Sequence, residues 1–223
     1  MLDCIQSESR SSVKKQIQPV RCGTFITQPI ERPEPMIEGG ILPRKSILVV
    51  GGISKAGKSI FVANLGLQIA AGLPFLGQFA IPKRRHVLYM QAEMSESSMQ
   101  DRLTKMIKAQ PIDHDILNQN FILINHKGIK LDDKSDLDRI SGVIAQYGIE
   151  VVIIDPLYKF HRGDENRVDD MTRFFDNLDS LVMDHDCSIV IVHHFGKPNE
   201  RKKQGAQQLR GSSVIFDLSL IHI

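Results

Sequence analysis

Cysteine is scarce in this 223-residue chain, which has three in all, Cys4, Cys22 and Cys187. Their odd number and wide spacing exclude a disulfide framework and a CxxC metal pair, so a reducing, cytoplasmic setting is expected. Charge of one sign is lacking too: the net charge is +2, so the whole protein has no pull toward nucleic acid or a membrane surface. Any basic surface must be local. No apolar run approaches the length of a membrane span, and the opening MLDCIQSESRSSVKK lacks the apolar core of a signal peptide.

What is present is ordinary for a globular domain. Hydrophobic residues make up 42 % and charged residues 24 %, and the length suits one α/β domain preceded by a tail. Residues 1–35 are mostly polar and end in Glu31-Arg32-Pro33-Glu34-Pro35, which reads as an extended linker. The folded part, residues 36–223, is expected to begin near Met36. From there apolar runs at 46–50, 86–90, 121–124, 151–154 and 188–192 read as buried strands, with a less clear sixth at 214–220.

Segments between these runs carry helical spacing. Lys58–Ala71 is apolar nearly all round. Met99, Leu103, Met106 and Ile107 line one face of the next segment, and Leu137, Ile140, Ile144 and Tyr147 line another. Met171, Phe174, Phe175, Leu178, Leu181 and Val182 follow the i, i+3, i+4, i+7 pattern most closely. Alternating strands and helices imply an α/β fold with a mostly parallel central sheet and helices on both faces.

The first strand runs into Gly51-Gly52-Ile53-Ser54-Lys55-Ala56-Gly57-Lys58-Ser59, a GxxxxGKS sequence. Glycines let such a loop curl so that successive N–H groups face an anion, and the helix that follows adds the positive end of its dipole. Lys58 can reach the β- and γ-phosphates, and the Ser59 hydroxyl can ligate Mg2+. A plain glycine turn would use some of the same residues. The pattern arises by chance in about one chain in a hundred of this length, and here it stands between a strand and a helix. ATP and Mg2+ are the expected ligands, with Gly52, Lys55, Ala56, Gly57, Lys58, Ser59 and Ile60 as the nucleotide-binding set.

Two acidic partners follow. Asp155 ends the run Val151-Val152-Ile153-Ile154, where an open parallel sheet gathers its ligands, and can hold the metal. It can also simply open the Pro156 turn. Glu93 lies just past the second strand and can act as the catalytic base on the attacking water. Glu96 is its rival, but belongs in the first turn of the next helix, where a carboxylate complements the dipole.

Several of these motifs occur in one order. The phosphate loop, Tyr89-Met90-Gln91-Ala92-Glu93-Met94-Ser95, the strand ending at Asp155-Pro156 and Val192-His193-His194-Phe195-Gly196-Lys197 resemble the RepA-like branch of the RecA/DnaB superfamily. These are hexameric P-loop ATPases of plasmid and phage replication. Smaller features agree, among them Ala70-Ala71-Gly72-Leu73-Pro74, Gly163-Asp164-Glu165-Asn166 and Arg210-Gly211-Ser212-Ser213. The resemblance spans roughly residues 30–216. It implies a RecA-like core whose sensor strand, residues 188–193, lies between the Lys58 and Asp155 strands. It also implies a homo-oligomeric ring with ATP between subunits. His194 takes the position of the polar γ-phosphate sensor, and Lys197 and Arg210 those of basic residues that complete a neighbour's site. Relatives continue past the Arg210 segment with further strands, so a C-terminally truncated domain is expected. The tail is also too short for the helical domain that many DnaB-type helicases carry.

Adjacent strand residues point to opposite faces, so His193 and His194 cannot readily chelate one metal together. One can be a core histidine while the other faces the site. Between Lys197 and Arg210 lie Arg201, Lys202 and Lys203, with Glu200 the only acid. This stretch reads either as a solvated loop or, as the resemblance implies, as a channel loop tracking single-stranded DNA phosphates. Two functions share every ATP-site residue. One is a DNA-stimulated, helicase-type motor; the other is an ATP-dependent regulatory switch or recombination mediator without unwinding. A small-molecule kinase fits less well, because Glu93 and the histidine pair suit water activation and phosphate sensing better than acceptor binding.

Overall fold

The computed structural model describes residues 18–30, 33–165 and 167–194. They fall in two units, one up to residue 32 and one from Pro33. The first holds a single short helix, α1 (Cys22–Thr27), with no buried residue. Six residues without apolar periodicity gave no helical signal in the sequence.

The second unit is built on five parallel strands, β1 (Ile47–Gly52), β2 (Val87–Gln91), β3 (Phe121–Asn125), β4 (Val151–Asp155) and β5 (Ser188–His194). Their order across the sheet is β1-β5-β4-β2-β3. The strand leading to His194 therefore lies between the phosphate-loop strand and the Asp155 strand, as the resemblance implies. Each strand runs one or two residues beyond its sequence-derived end, because pairing continues to Gly52↔His194 and Gln91↔Asp155. The expected sixth strand at 214–220 lies outside the described residues.

Five helices pack on the sheet: α2 (Lys58–Ala71), α3 (Glu96–Lys108), α4 (His114–Asn120), α5 (Lys134–Tyr147) and α6 (Val168–His185). Alternation along the strands sends successive side chains to opposite faces. Leu88, Met90, Val152 and Ile154 meet Ile140 and Ile144 of α5 and Phe174, Phe175 and Leu178 of α6. Val87, Tyr89, Val151 and Ile153 meet α2, Met99 of α3 and Leu117 of α4. Both faces are thus covered, and α2 is buried nearly all round as its composition requires.

Local chemistry sets the helix ends. The Ser95 and Asp133 side chains accept backbone N–H groups at the starts of α3 and α5, a standard N-cap arrangement. Gly72 and Gly148 end α2 and α5 in the left-handed conformation, which suits a residue without Cβ. The cap at Gly148 also corrects one expectation. Tyr147, expected from its spacing on the buried face of α5, is 47 % exposed. The chain reverses at Gly148, and Ile149, bonded from its N–H to the Ile144 carbonyl, takes the apolar position instead. Helix α4 leaves no periodic signal in the sequence, being only seven residues with one buried side chain, Leu117.

At the N-terminal ends of β2 and β4, fully buried Arg85 donates to Glu150 Oε1 at 2.8 Å and to Glu34 Oε2 at 2.7 Å. The segment read as a linker is therefore bonded to the core two residues before Met36.

Candidate active site

The strands deliver their C-terminal ends to one edge of the sheet, and the candidate residues gather there. Between β1 and α2 the backbone turns with φ of 65° at Lys55 and 86° at Gly57. Gly57 has no Cβ to oppose that conformation. A Cβ at Gly52 would stand 3.3 Å from Lys58 Cδ, so glycine there lets the lysine lie flat against its own loop. Lys58 is 8 % exposed and donates to the carbonyls of Gly52 at 2.8 Å and Ile53 at 2.7 Å. Burial pushes its pKa below the ordinary lysine value, against the pull of Asp155 and Glu93.

In the first turn of α2 the Ser59 hydroxyl donates to Asp155 Oδ1 at 3.0 Å. Tyr89, two residues back along β2 from Gln91, the partner of Asp155, donates its phenol to Asp155 Oδ2 at 2.6 Å. Asp155 is 1 % exposed, and burial raises its pKa above the carboxylate norm although both hydroxyls oppose the shift. Burial first, and then Asp155, push the Tyr89 phenol up, so it remains a donor.

Glu93, exposed just beyond the end of β2, accepts a hydrogen bond from the Tyr158 hydroxyl. Tyr158 belongs to a 3₁₀ turn over Leu157–Lys159. Its ring meets the His194 imidazole edge-on at 5.7 Å between centroids. His194 is half-buried at the end of β5, and burial, then nearby Lys58, lowers its pKa. His193 points the other way and is 1 % exposed. The pair divides into one core residue and one site residue. Glu96 occupies the first turn of α3.

Residues 54–60, Glu93, Arg102, Tyr158, Glu165 and His194 line one cleft of about 790 Å³. The sequence pattern did not single out Tyr89, Arg102, Tyr158 or Glu165 as site residues. Arg102 did carry a signal: it falls between Met99 and Leu103 on the apolar face of α3. Lys197, Arg201, Lys202, Lys203 and Arg210 lie outside the described residues.

This edge fits a nucleoside triphosphate and its metal. Arg102 Nη1 is buried in the cleft wall without a hydrogen-bond partner among the described residues, a donor suited to an anion. The curled loop and the α2 N-terminus add N–H groups and a positive dipole. The Ser59 hydroxyl and Asp155 carboxylate stand together as hard oxygen donors of the type Mg2+ takes. The family described as an AAA domain matches residues 11–200. The chain belongs to that family.

An AAA domain with this sheet is a RecA-like P-loop fold and an ATPase-type module, for which nucleotide binding is implied. Among its described residues, no helix is long and apolar enough to cross a membrane.

Proposed function

We propose that this AAA domain binds and hydrolyses Mg-ATP at the cleft and uses the energy as a DNA-stimulated, helicase-type motor of the RepA kind. The observation that carries the hydrolytic reading is the convergence on one cleft of the phosphate loop, the Ser59–Asp155 pair and Glu93. In this reading Lys58 leaves its two loop carbonyls for the β- and γ-phosphate oxygens. Ser59 and Asp155 hold Mg2+, which supplies charge neutralisation at the phosphates. Glu93 takes the proton of the attacking water, and neutral His194 contacts the γ-phosphate end.

The motor reading rests on the motif order shared with the RepA-like branch. In that scheme subunits assemble as a homohexamer, and Lys197, Arg201, Lys202 and Lys203 track single-stranded DNA while Arg210 reaches a neighbour's site. The test is steady-state ATP hydrolysis with and without single-stranded DNA, followed by strand displacement on a tailed duplex. Several-fold stimulation and displacement are expected. Hydrolysis indifferent to DNA would replace the motor with an ATP-dependent switch.

A further inference from the structure

The base proposed above has a weakness that its surroundings correct. Glu93 stands beyond the end of β2 and is exposed, and its two sp³ side-chain torsions offer about nine staggered combinations. Neither the phosphate loop nor α3 holds its carboxylate: among the described residues its one hydrogen-bond donor is the Tyr158 hydroxyl. We propose that Tyr158 is a positioning residue for Glu93, the third group that orients the base toward the attacking water. The inference rests on the hydrolytic reading of the cleft.

Tyr158 is placed by a turn that is itself fixed. Leu157 and Phe160, on either side, are 1 % and 0 % exposed and anchor the turn in the core. The Phe160 N–H closes it on the Leu157 carbonyl at 2.8 Å. Lys130 Nζ donates to the carbonyls of Lys159 at 2.7 Å and His161 at 3.0 Å, and the Leu131 N–H reaches the Phe160 carbonyl at 2.7 Å. A phenol has a single sp³ side-chain torsion, so on a fixed backbone its hydroxyl has about three staggered positions, and the ring's contact with His194 selects one of them.

The same ring rests edge-on against His194, and the Lys159 ammonium stands 4.9 Å from its centroid. One side chain therefore touches the groups proposed as base and as phosphate sensor, which come from different strands. Burial and the Glu93 carboxylate raise the phenol's pKa, so Tyr158 keeps its proton and stays a donor at neutral pH. The bond occupies Oε1 of Glu93 and leaves the other carboxylate oxygen to accept from water. A nucleophile-activating base oriented by a third group is the arrangement that general-base chemistry requires.

A rim tyrosine can also serve as a stacking surface for a nucleotide base, and the two roles separate experimentally. Tyr158→Phe keeps the ring, its stacking area and its contact with His194 while deleting only the hydroxyl. Releasing Glu93 to about nine rotamer combinations lowers kcat for Mg-ATP hydrolysis about tenfold and leaves KM within about twofold. In the ligand-free protein, Glu93→Ala shifts the Tyr158 ring resonances, assigned by their loss in Tyr158→Phe. The inference is overturned by an unchanged or raised kcat in Tyr158→Phe, by a rise in KM alone, or by ring resonances indifferent to Glu93→Ala. Normal Tyr158→Phe turnover beside Lys58-dependent hydrolysis removes this inference alone. A native chain without Lys58-dependent hydrolysis removes the hydrolytic reading, and the positioning role with it.

Discussion

The Ser59 hydroxyl lies 3.0 Å from Asp155 Oδ1, joining the first turn of α2 to the last residue of β4 across 96 residues of sequence. The bond brings together two oxygen donors from separate elements beside the phosphate loop. Asp155→Asn keeps the shape and removes the charge a metal needs. The gain in ATP affinity that Mg2+ provides falls at least about tenfold in this variant, since even one charge pair near a surface outweighs 1.4 kcal/mol. Binding measured in chelator does not weaken, because the substitution removes a negative charge beside the phosphates. Titration of a fluorescent ATP analogue with and without Mg2+ reads both quantities.

Tyr89 holds the other oxygen of that carboxylate from inside the core, at 2.6 Å. Tyr89→Phe removes a donor to a buried charged acceptor, a loss of about 1.5–3 kcal/mol. Urea unfolding of the nucleotide-free protein should show that decrease with an unchanged m-value.

His194 gives a pH dependence of known sign. Burial and Lys58 hold its folded pKa below the ordinary 6.5, so the unfolded chain binds the proton first as pH falls. Its contribution to stability is complete above 6.5 and is lost as pH falls from there through the folded value. Denaturant midpoints of the native chain should therefore decline relative to those of His194→Gln as pH is lowered below 6.5.

Much of this fold was legible in the sequence because it is written in local patterns. The β-branched run Val151–Asp155 is buried throughout, and the apolar series from Met171 to Val182 is the buried face of α6. The phosphate loop was legible for the same reason, since one contiguous stretch carries its whole chemistry. Tyr89, Tyr158 and Arg102 were not legible as site residues. Tyr89 reaches Asp155 only through the pairing of β2 with β4, and Tyr158 reaches Glu93 across 65 residues. Neither relationship has a sequence period.

Arg85 tests the extent of the core. Its guanidinium is fully buried, while Glu34 and Glu150 are 46 % and 28 % exposed. Arg85→Met leaves two carboxylates that water can still reach, so the loss falls at or below the low end of the about 3–5 kcal/mol typical of a broken buried pair. Proteolysis near Pro33 should accelerate in the variant, because the segment bearing Glu34 loses its anchor.

Mg-ATP hydrolysis by the native chain and by Lys58→Ala, under identical conditions, bears most directly on the account. Lys58 is the buried cation of the phosphate loop, and its removal should lower turnover on the order of 10²-fold or more. A fall of that size, with the folded state intact by circular dichroism, is the predicted result. Equal turnover in the two proteins, or none in the native chain, would contradict the assignment of this cleft as an ATPase site.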